Sequence, residues 1–213
     1  MVMNTSLDNT LINGASTLGI SLDSVISQQM LDYLSLMVKW NKTHNLTAIT
    51  DLTQMVMLHL LDSLSVLPYL TGQRIIDIGT GAGLPGMVLA MADPSRTYYL
   101  LDSAQKRTSF LNHVCHKLSL KNVVVINSRA EKYQSDIKFD VIISRAFSSL
   151  QLMVEYTSHL VDNEGYFLAM KGIYPQDEID AVKDKVNLSR VIACDVPGVE
   201  AQRHLVLLQK NSV

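Results

Sequence analysis

Apolar residues recur every three or four positions from Ser21 into the polar segment 41–45, and this period predicts a helix. Ser21 or Asp23 lies where a helix cap is expected. A second helix is predicted from Asp51 to about Leu67, with its apolar residues on one face. Residues 1–20 show no sustained period, so we expect them to form a loosely held tail.

The pattern changes after residue 71, where short runs rich in β-branched residues alternate with helical stretches. The runs predicted as parallel strands are Arg74–Ile78, Thr97–Leu101, Val123–Ile126, Phe139–Ile143 and Gly165–Met170. Such alternation is typical of a parallel sheet covered by helices on both faces. The last two runs, Val191–Val196 and His204–Leu208, are joined by a link too short for a helix and should pair antiparallel at one edge. We predict an N-terminal helical extension over residues 1–70 and an α/β domain over residues 71–213.

A buried strand runs into a glycine-rich turn at residues 75–86, and two cofactors fit this turn. Gly81, Gly83 and Gly86 match the G-x-G-x-x-G pattern of dinucleotide-binding proteins. The frame that begins at Asp77 and continues through Gly79, Gly81 and Gly83 instead resembles the S-adenosylmethionine loop of Rossmann-like methyltransferases. We favour the second interpretation, because a carboxylate before the loop repels a pyrophosphate but suits the methionyl ammonium group.

Polar residues at the carboxyl ends of the predicted strands mark the edge where open α/β sheets bind ligands. Asp102 ends the second strand, where an acid accepts hydrogen bonds from ribose hydroxyls, or else caps the following helix. Ala130 and Glu131 follow the third strand, Arg145 the fourth and Lys171 the fifth. Arg145 and Lys171 are therefore candidates to position a ligand, although strand-end cations are often only solvated charges.

Composition restricts the partners that are plausible. The 18 basic and 20 acidic residues give a net charge of −2, which excludes a general polyanion binder and leaves a local basic patch as the route to nucleic acid. Two cysteines are too few for a disulfide framework or a four-ligand zinc site, so we expect no metal. The first residues lack a basic, apolar leader and no stretch is long enough to span a bilayer, so we expect a cytoplasmic protein without membrane contact.

An ordered set of segments resembles the ribosomal RNA small-subunit methyltransferase G family, also called the glucose-inhibited division protein B family. The segments are Trp40–Thr47, His59–Ser63, Asp77–Gly86, Leu101–Ser103 with Lys106–Arg107, Ile143–Phe147, Lys171–Gly172 and Gln202–Val206. Each piece is weak alone, but the set runs in order from Trp40 to Lys210. The resemblance implies a Rossmann-like S-adenosylmethionine-dependent methyltransferase fold, with a seven-stranded, mostly parallel sheet, an antiparallel edge strand and the helical extension.

The resemblance also implies methyl transfer from S-adenosylmethionine to N7 of one guanine in the decoding region of 16S rRNA. From the low net charge we expect the substrate to be a small ribosomal subunit or an assembly intermediate, and separately we expect the enzyme to be a monomer. Guanine N7 carries a lone pair and no proton to remove, so the transfer needs positioning rather than a general base. The alternatives that use the same glycine loop are a non-catalytic nucleotide-binding module and an NAD-dependent oxidoreductase.

The loop chemistry and the resemblance together give two sets of expected contacts. The expected cofactor contacts are Asp77, Gly79, Gly81, Gly83, Leu84, Asp102, Ala130, Glu131 and Arg145. The expected RNA contacts are Lys42, His44, Asn45, His59, Lys106, Arg107 and Arg203. Taken singly, the cations in the second set look like solvated surface charges, and His59 looks like a packed histidine of an apolar helix.

Overall fold

The computed structural model describes residues 2–145 and 147–211, which form one mixed sheet with helices on both faces. The strands are β1 (Arg74–Ile78), β2 (Thr97–Asp102), β3 (Val123–Asn127), β4 (Phe139–Ser144), β5 (Val161–Lys171), β6 (Val186–Ala193) and β7 (His204–Lys210). The order across the sheet is β3-β2-β1-β4-β5-β7-β6. The predicted seven-stranded, mostly parallel fold is confirmed, and β1 to β4 end within one residue of their predicted bounds.

The antiparallel pair predicted for one edge of the sheet is also confirmed. Strand β7 is antiparallel to both β5 and β6, so it is the strand that runs against the rest and it lies next to the edge. The bounds of β6 were predicted too late in the chain, because the exposed positions 187–190 at its start lack an apolar pattern. Strand β5 likewise begins four residues before its predicted start, at Val161.

The helices precede or cross between the strands. They are α1 (Val2–Thr17), α2 (Ser24–His44), α3 (Leu52–Met55), a π-helix (Val56–Leu61), α4 (Asp62–Leu64), α5 (Gly86–Ala92), α6 (Gln105–Lys117), α7 (Leu150–Thr157) and α8 (Gln176–Asp180), with 3-10 turns at Leu67–Tyr69 and Ala130–Lys132. Asp23 caps α2 through a hydrogen bond from the backbone N–H of Ile26, and Asn45 ends the helix in the left-handed conformation. Within the described ranges, no helix has the length and apolar character to cross a membrane.

The prediction of a loosely held tail over residues 1–20 was wrong. Most of that segment is helix α1, and its residues Leu11 and Ala15 are fully buried. Gly14 lets α1 approach the π-helix closely, since a Cβ atom added there would lie 2.4 Å from Cδ1 of Leu61. The segment lacks a strong apolar period because small residues make this contact.

Two apolar clusters cover the two faces of the sheet. Ile75 and Ile76 are neighbours on β1 and belong to opposite clusters, as alternation along a strand requires. The cluster that contains Ile75 also contains Tyr33 and Met37 of α2 and Leu11 of α1. The N-terminal helices therefore share a continuous core with the sheet, and the proposed boundary at residue 71 stays a prediction.

Candidate active site

The predicted glycine-rich turn leaves β1 and is tied to the acid before it and the acid of the neighbouring strand. Oδ2 of Asp77 accepts hydrogen bonds from the Thr80 hydroxyl at 2.6 Å and from the Gly86 N–H at 2.8 Å. Oδ2 of Asp102 accepts from the Gly81 N–H at 2.9 Å. Gly79, Gly81 and Gly83 all have positive φ, which glycine adopts without strain. Two carboxylates therefore fix the shape of this turn.

One carboxylate oxygen of Asp77, Oδ1, takes no part in these hydrogen bonds. Its carboxyl is 1% exposed, and burial raises its pKa to about 6. Oδ1 is buried without a hydrogen-bond partner, which is costly unless a ligand supplies a donor. A positively charged ammonium group meets that need and would hold the carboxyl in its charged form.

The turn borders a cavity of about 450 Å³ at the carboxyl ends of β1, β2 and β3, which we call the loop cavity. Its lining residues include Gly79, Asp102, Ser103, Arg107, Ala130, Glu131, Phe147 and Tyr156. A Cβ atom added at Gly79 would meet nothing within 4 Å, so the backbone there is open to a ligand. The cavity brings together four of the predicted cofactor residues, which are Gly79, Asp102, Ala130 and Glu131.

The carboxylate of Asp102 accepts two further hydrogen bonds within the protein besides the one from Gly81, which was not expected for an acid that binds ribose. Its Oδ1 accepts from the Ala104 N–H at 2.8 Å, and its Oδ2 also receives Nη1 of Arg107 at 3.2 Å. Asp102 does not cap helix α6, since that helix begins at Gln105 and its cap position is Ala104. Two carboxylate oxygens offer about four acceptor sites, so room for a ribose hydroxyl remains beside these three bonds.

Leu84 lies elsewhere than the resemblance suggested. Its side chain is buried in the core cluster shared with Tyr33 and Leu111, and it is not among the residues that line the loop cavity. Gly81 and Gly83 likewise shape the turn without lining the cavity. Tyr33 of α2 braces the same turn, because its hydroxyl donates to the Ala82 carbonyl at 2.7 Å. Burial raises the pKa of Tyr33 far above its usual value, so this hydroxyl stays protonated.

A second cavity of about 320 Å³ opens beside the ends of β4 and β5, and we call it the arginine cavity. Its lining residues are Ile49, Leu58, His59, Asp62, Arg145, Met170, Lys171, Gly172 and Arg203. Arg145 therefore lines this cavity rather than the loop cavity. Together with His59, Lys171 and Arg203, it forms a single group drawn from four distant parts of the chain.

The centre of the arginine cavity is the buried carboxylate of Asp62, which sequence reasoning did not single out. Oδ1 receives Nε of Arg203 at 2.8 Å, and Oδ2 receives Nη1 of Arg145 at 3.4 Å. The Leu58 carbonyl also accepts from Arg145 Nη1, at 3.1 Å. The available signal was an acidic residue on an otherwise apolar helix, since such a residue is rarely buried without a partner.

His59 and Lys171 complete the polar lining. His59 lies in the π-helix and is 4% exposed, and Nε2 is 3.0 Å from the Thr47 hydroxyl. Burial and the nearby charge of Arg145 lower the pKa of His59 to about 4, so the imidazole is neutral at physiological pH. Nζ of Lys171 is paired with Glu178 at 2.8 and 3.1 Å.

The remaining predicted RNA contacts lie outside the arginine cavity. Lys42, His44 and Asn45 are at the carboxyl end of α2, where the His44 ring packs against Trp40 at 4.8 Å. Lys106 is exposed and Arg107 is paired with Asp102, both at the start of α6 beside the loop cavity. In the ranges 2–145 and 147–211, no three His, Cys, Asp or Glu side chains come together as metal ligands would.

The fold matches solved structures of one class. A SAM-dependent methyltransferase from Aquifex aeolicus superposes with a TM-score of 0.59 at 21% identity, covering 80% of this chain and 96% of that one. A SAM-dependent methyltransferase from Thiobacillus denitrificans, solved with S-adenosyl-L-homocysteine, gives a TM-score of 0.54 at 13% identity, covering 71% and 90%. The chain therefore has the fold of the S-adenosylmethionine-dependent methyltransferases.

The sequence comparisons are more specific. Residues 26–206 match the family model of rRNA small subunit methyltransferase G. A "Ribosomal RNA small subunit methyltransferase G" from Alteromonas mediterranea is 46% identical over 211 residues, covering 99% of this chain and all of the relative. A relative of the same name from a Marinomonas species is 48% identical over 203 residues, covering 95% and 98%. The chain belongs to the rRNA small subunit methyltransferase G family, as the ordered motifs predicted.

Proposed function

We propose that this protein transfers the methyl group of S-adenosylmethionine to N7 of one guanine in the decoding region of small-subunit rRNA. The observation that carries the proposal is the junction between the two cavities. The Ser144 hydroxyl donates to the Ile78 carbonyl at 2.8 Å, joining the ends of β4 and β1. The next residues along each strand are Arg145 of the arginine cavity and Gly79 of the loop cavity. A donor and an acceptor bound in these cavities would meet at this junction.

The loop cavity suits each part of the cofactor. Asp77 precedes the turn and is not among the residues that line the cavity, but its unpartnered Oδ1 would accept the methionyl ammonium, and Gly79 would offer backbone that approaches the ligand closely. Asp102 accepts from the ribose, and Ala130 and Glu131 border the adenine. When bound, S-adenosylmethionine supplies an electrophilic methyl group on a sulfonium.

The arginine cavity suits an acceptor atom that carries no proton. Its described titratable groups are two arginines, an ion-paired lysine, an ion-paired aspartate and a histidine whose pKa is lowered to about 4. The lowered pKa makes the histidine a weak base, and the lysine and the aspartate are held in ion pairs, whereas proton abstraction from an amino group would require a free base. Guanine N7 presents a lone pair directly, and O6 beside it is a second acceptor for cationic donors. Arg145 and Lys171 therefore serve to position the base.

The substrate is proposed to be a small-subunit particle or an assembly intermediate rather than protein-free rRNA. Tight binding of bare RNA depends on many phosphate contacts and the release of counterions. A chain with a net charge of −2 and scattered basic clusters offers few such contacts. Folded RNA and neighbouring proteins would have to present the target base by shape.

The test is to map N7-methylguanine in 16S rRNA from cells with and without the gene, by chemical cleavage at N7-methylated sites. The purified protein, S-adenosylmethionine and small-subunit particles from the deletion strain should restore the modification at a single position. Loss of methylation at another atom, such as an exocyclic amino group, would contradict N7 while leaving methyltransferase activity intact.

A further inference from the structure

We infer that Asp62 is the specificity-determining residue that selects guanine in the arginine cavity, and this inference rests on the proposed function. Asp62 is the only carboxylate among the described residues that line the cavity. It is 3% exposed and lies directly after the π-helix, opposite the sheet edge that carries Arg145. A buried carboxylate in a substrate cavity is costly to keep, so its pairing and free capacity call for a functional explanation.

The two arginines use only part of the acceptor capacity of Asp62. Each carboxylate oxygen receives one guanidinium nitrogen, which leaves about two acceptor sites on the group. The bond from Arg203 is short at 2.8 Å, whereas Arg145 lies at 3.4 Å and is shared with the Leu58 carbonyl. Arg203 therefore fixes the orientation of the carboxylate, and the side facing Arg145 is the looser one.

The donors and acceptors of the cavity complement guanine. With N7 directed at the cofactor, guanine presents O6 as an acceptor beside it and the N1–H and 2-amino groups as donors on its Watson–Crick edge. Cations such as Arg145 and Lys171 match O6. The donors require an acceptor, and the Asp62 carboxylate provides it with a charge-assisted bond.

The same arrangement rejects adenine. Adenine carries a 6-amino donor next to N7, which would face cationic donors, and it lacks the 2-amino group that Asp62 would bind. Donors that the bound base removes from water without a matching acceptor are costly. Discrimination between guanine and adenine therefore depends on the Asp62 carboxylate among the cations of the cavity. A pocket lined by cations alone would have no acceptor for the guanine donors.

The experiment compares a small-subunit particle that carries guanosine at the target position with one that carries inosine, which lacks only the 2-amino group. Both are reconstituted from ligated rRNA, and kcat/KM is measured for each. The wild-type enzyme should prefer guanosine by about tenfold, the value of one good base contact. Asp62→Asn should bring the ratio close to one through its effect on guanosine. Asp162→Asn, which alters an aspartate paired with Arg74 at the opposite sheet edge, should keep the wild-type ratio.

Asp62→Asn leaves two guanidinium groups short of a counter-ion, so binding of S-adenosylhomocysteine is measured first as a check on folding. The double variant Asp62→Asn/Arg203→Gln restores the original net charge of the triad and should show the same loss of preference. The inference would be overturned if the wild-type enzyme had equal kcat/KM for guanosine and inosine, or if a folded Asp62→Asn variant kept the wild-type preference for guanosine. Absence of any N7-methylguanine with the wild-type enzyme would instead overturn the proposed function.

Discussion

The hydroxyl of Tyr33 donates a hydrogen bond to the carbonyl of Ala82 at 2.7 Å, and both groups are buried. Helix α2, which belongs to the N-terminal extension, is thereby hydrogen-bonded to the middle of the glycine turn. The other supports of the turn, Asp77 and Asp102, come from the sheet itself. The extension therefore contributes to the geometry of the loop cavity.

Replacing Tyr33 by Phe should weaken cofactor binding without a change in any group that lines the loop cavity. The Ala82 carbonyl would lose its partner in a buried place, at a cost of about 1–3 kcal/mol in the free energy of unfolding. We expect a several-fold loss of S-adenosylhomocysteine affinity by calorimetry. Tyr174→Phe, at an exposed tyrosine, is the control that should change neither quantity. Equal affinities for Tyr33→Phe and wild type would show that the turn holds its shape alone.

Asp102→Ala should reduce S-adenosylhomocysteine affinity by about 10- to 100-fold, because it removes the proposed ribose acceptor and also frees the Gly81 N–H. Arg107→Gln removes the ion pair but leaves the acid, and should change affinity little because Arg107 is 42% exposed. Comparable losses of S-adenosylhomocysteine affinity in the two variants would mean that the ion pair with Arg107, and not the acceptor capacity of Asp102, determines the affinity.

Asp77 should make stability depend on pH in an unusual direction. Its folded pKa of about 6 lies above the unfolded value of 3.8, so its contribution is complete below the unfolded pKa and is lost as pH rises through 6. His59 acts oppositely, since its lowered pKa costs stability as pH falls through 6.5 towards 4. The informative quantity is thus the difference in unfolding free energy between wild type and Asp77→Asn.

That difference should shift in favour of wild type by about 1–2 kcal/mol between pH 8 and pH 5, measured by urea unfolding without cofactor. Saturating S-adenosylhomocysteine should reduce the shift, because its ammonium group stabilises the charged carboxyl. Asp140→Asn is the control that should show almost no change over this range: Arg74 and two backbone N–H groups lower the pKa of Asp140 below 3.8, so its contribution is lost only at more acidic pH. A constant difference across the range would mean that Asp77 is not the titrating group.

The methyl-transfer step should be nearly independent of pH between 6 and 8 at saturating cofactor. His59, the neutral imidazole of the arginine cavity, titrates near pH 4, well below this range. Single-turnover rates on small-subunit particles provide the measurement. A rise through this range that His59→Gln abolishes would show that a proton is removed and that the acceptor is not N7.

Lys42→Gln should raise the KM for particles while leaving S-adenosylhomocysteine affinity unchanged. Lys42 is exposed at the carboxyl end of α2 and lines neither cavity, so we expect it to contact RNA phosphates rather than the cofactor. Lys183→Gln is the matched control, since that exposed lysine precedes β6 at the opposite edge of the sheet. We also expect particles to be methylated far better than naked 16S rRNA at equal salt, and equal turnover would refute the charge argument.

The sheet and the glycine turn were predictable because their signals are local. Alternation of apolar runs specifies β1 to β4 almost to the residue, and the turn residues follow directly in sequence. The arginine cavity was predictable only in part, through the residues that the family motifs carried. Its centre joins Asp62 to residues 83 and 141 positions further along the chain, and no local pattern reveals such a pairing.

The sequence also did not predict the helix type within the second predicted helix. Residues 52–64 form a continuous helical segment as predicted, but its middle is a π-helix, a form that recurs at functional sites. Periodicity does not reveal this change, because Met55, Leu61 and Leu64 are all buried and read as one face. His59 and Asp62 are buried among them, which a purely apolar face would not predict.

The place of β7 in the sheet bears on the order in which the two cavities can form during synthesis. Strand β6 precedes β7 in the chain but reaches the sheet only through it, so β6 has no neighbour until β7 has been made. The described residues that line the loop cavity all precede Ser158. The arginine cavity needs Arg203, just before β7. If the cofactor binds in the loop cavity and the target base in the arginine cavity, as proposed, a nascent chain can surround the cofactor before it can hold the base, and the pairing of its last strand completes the second cavity.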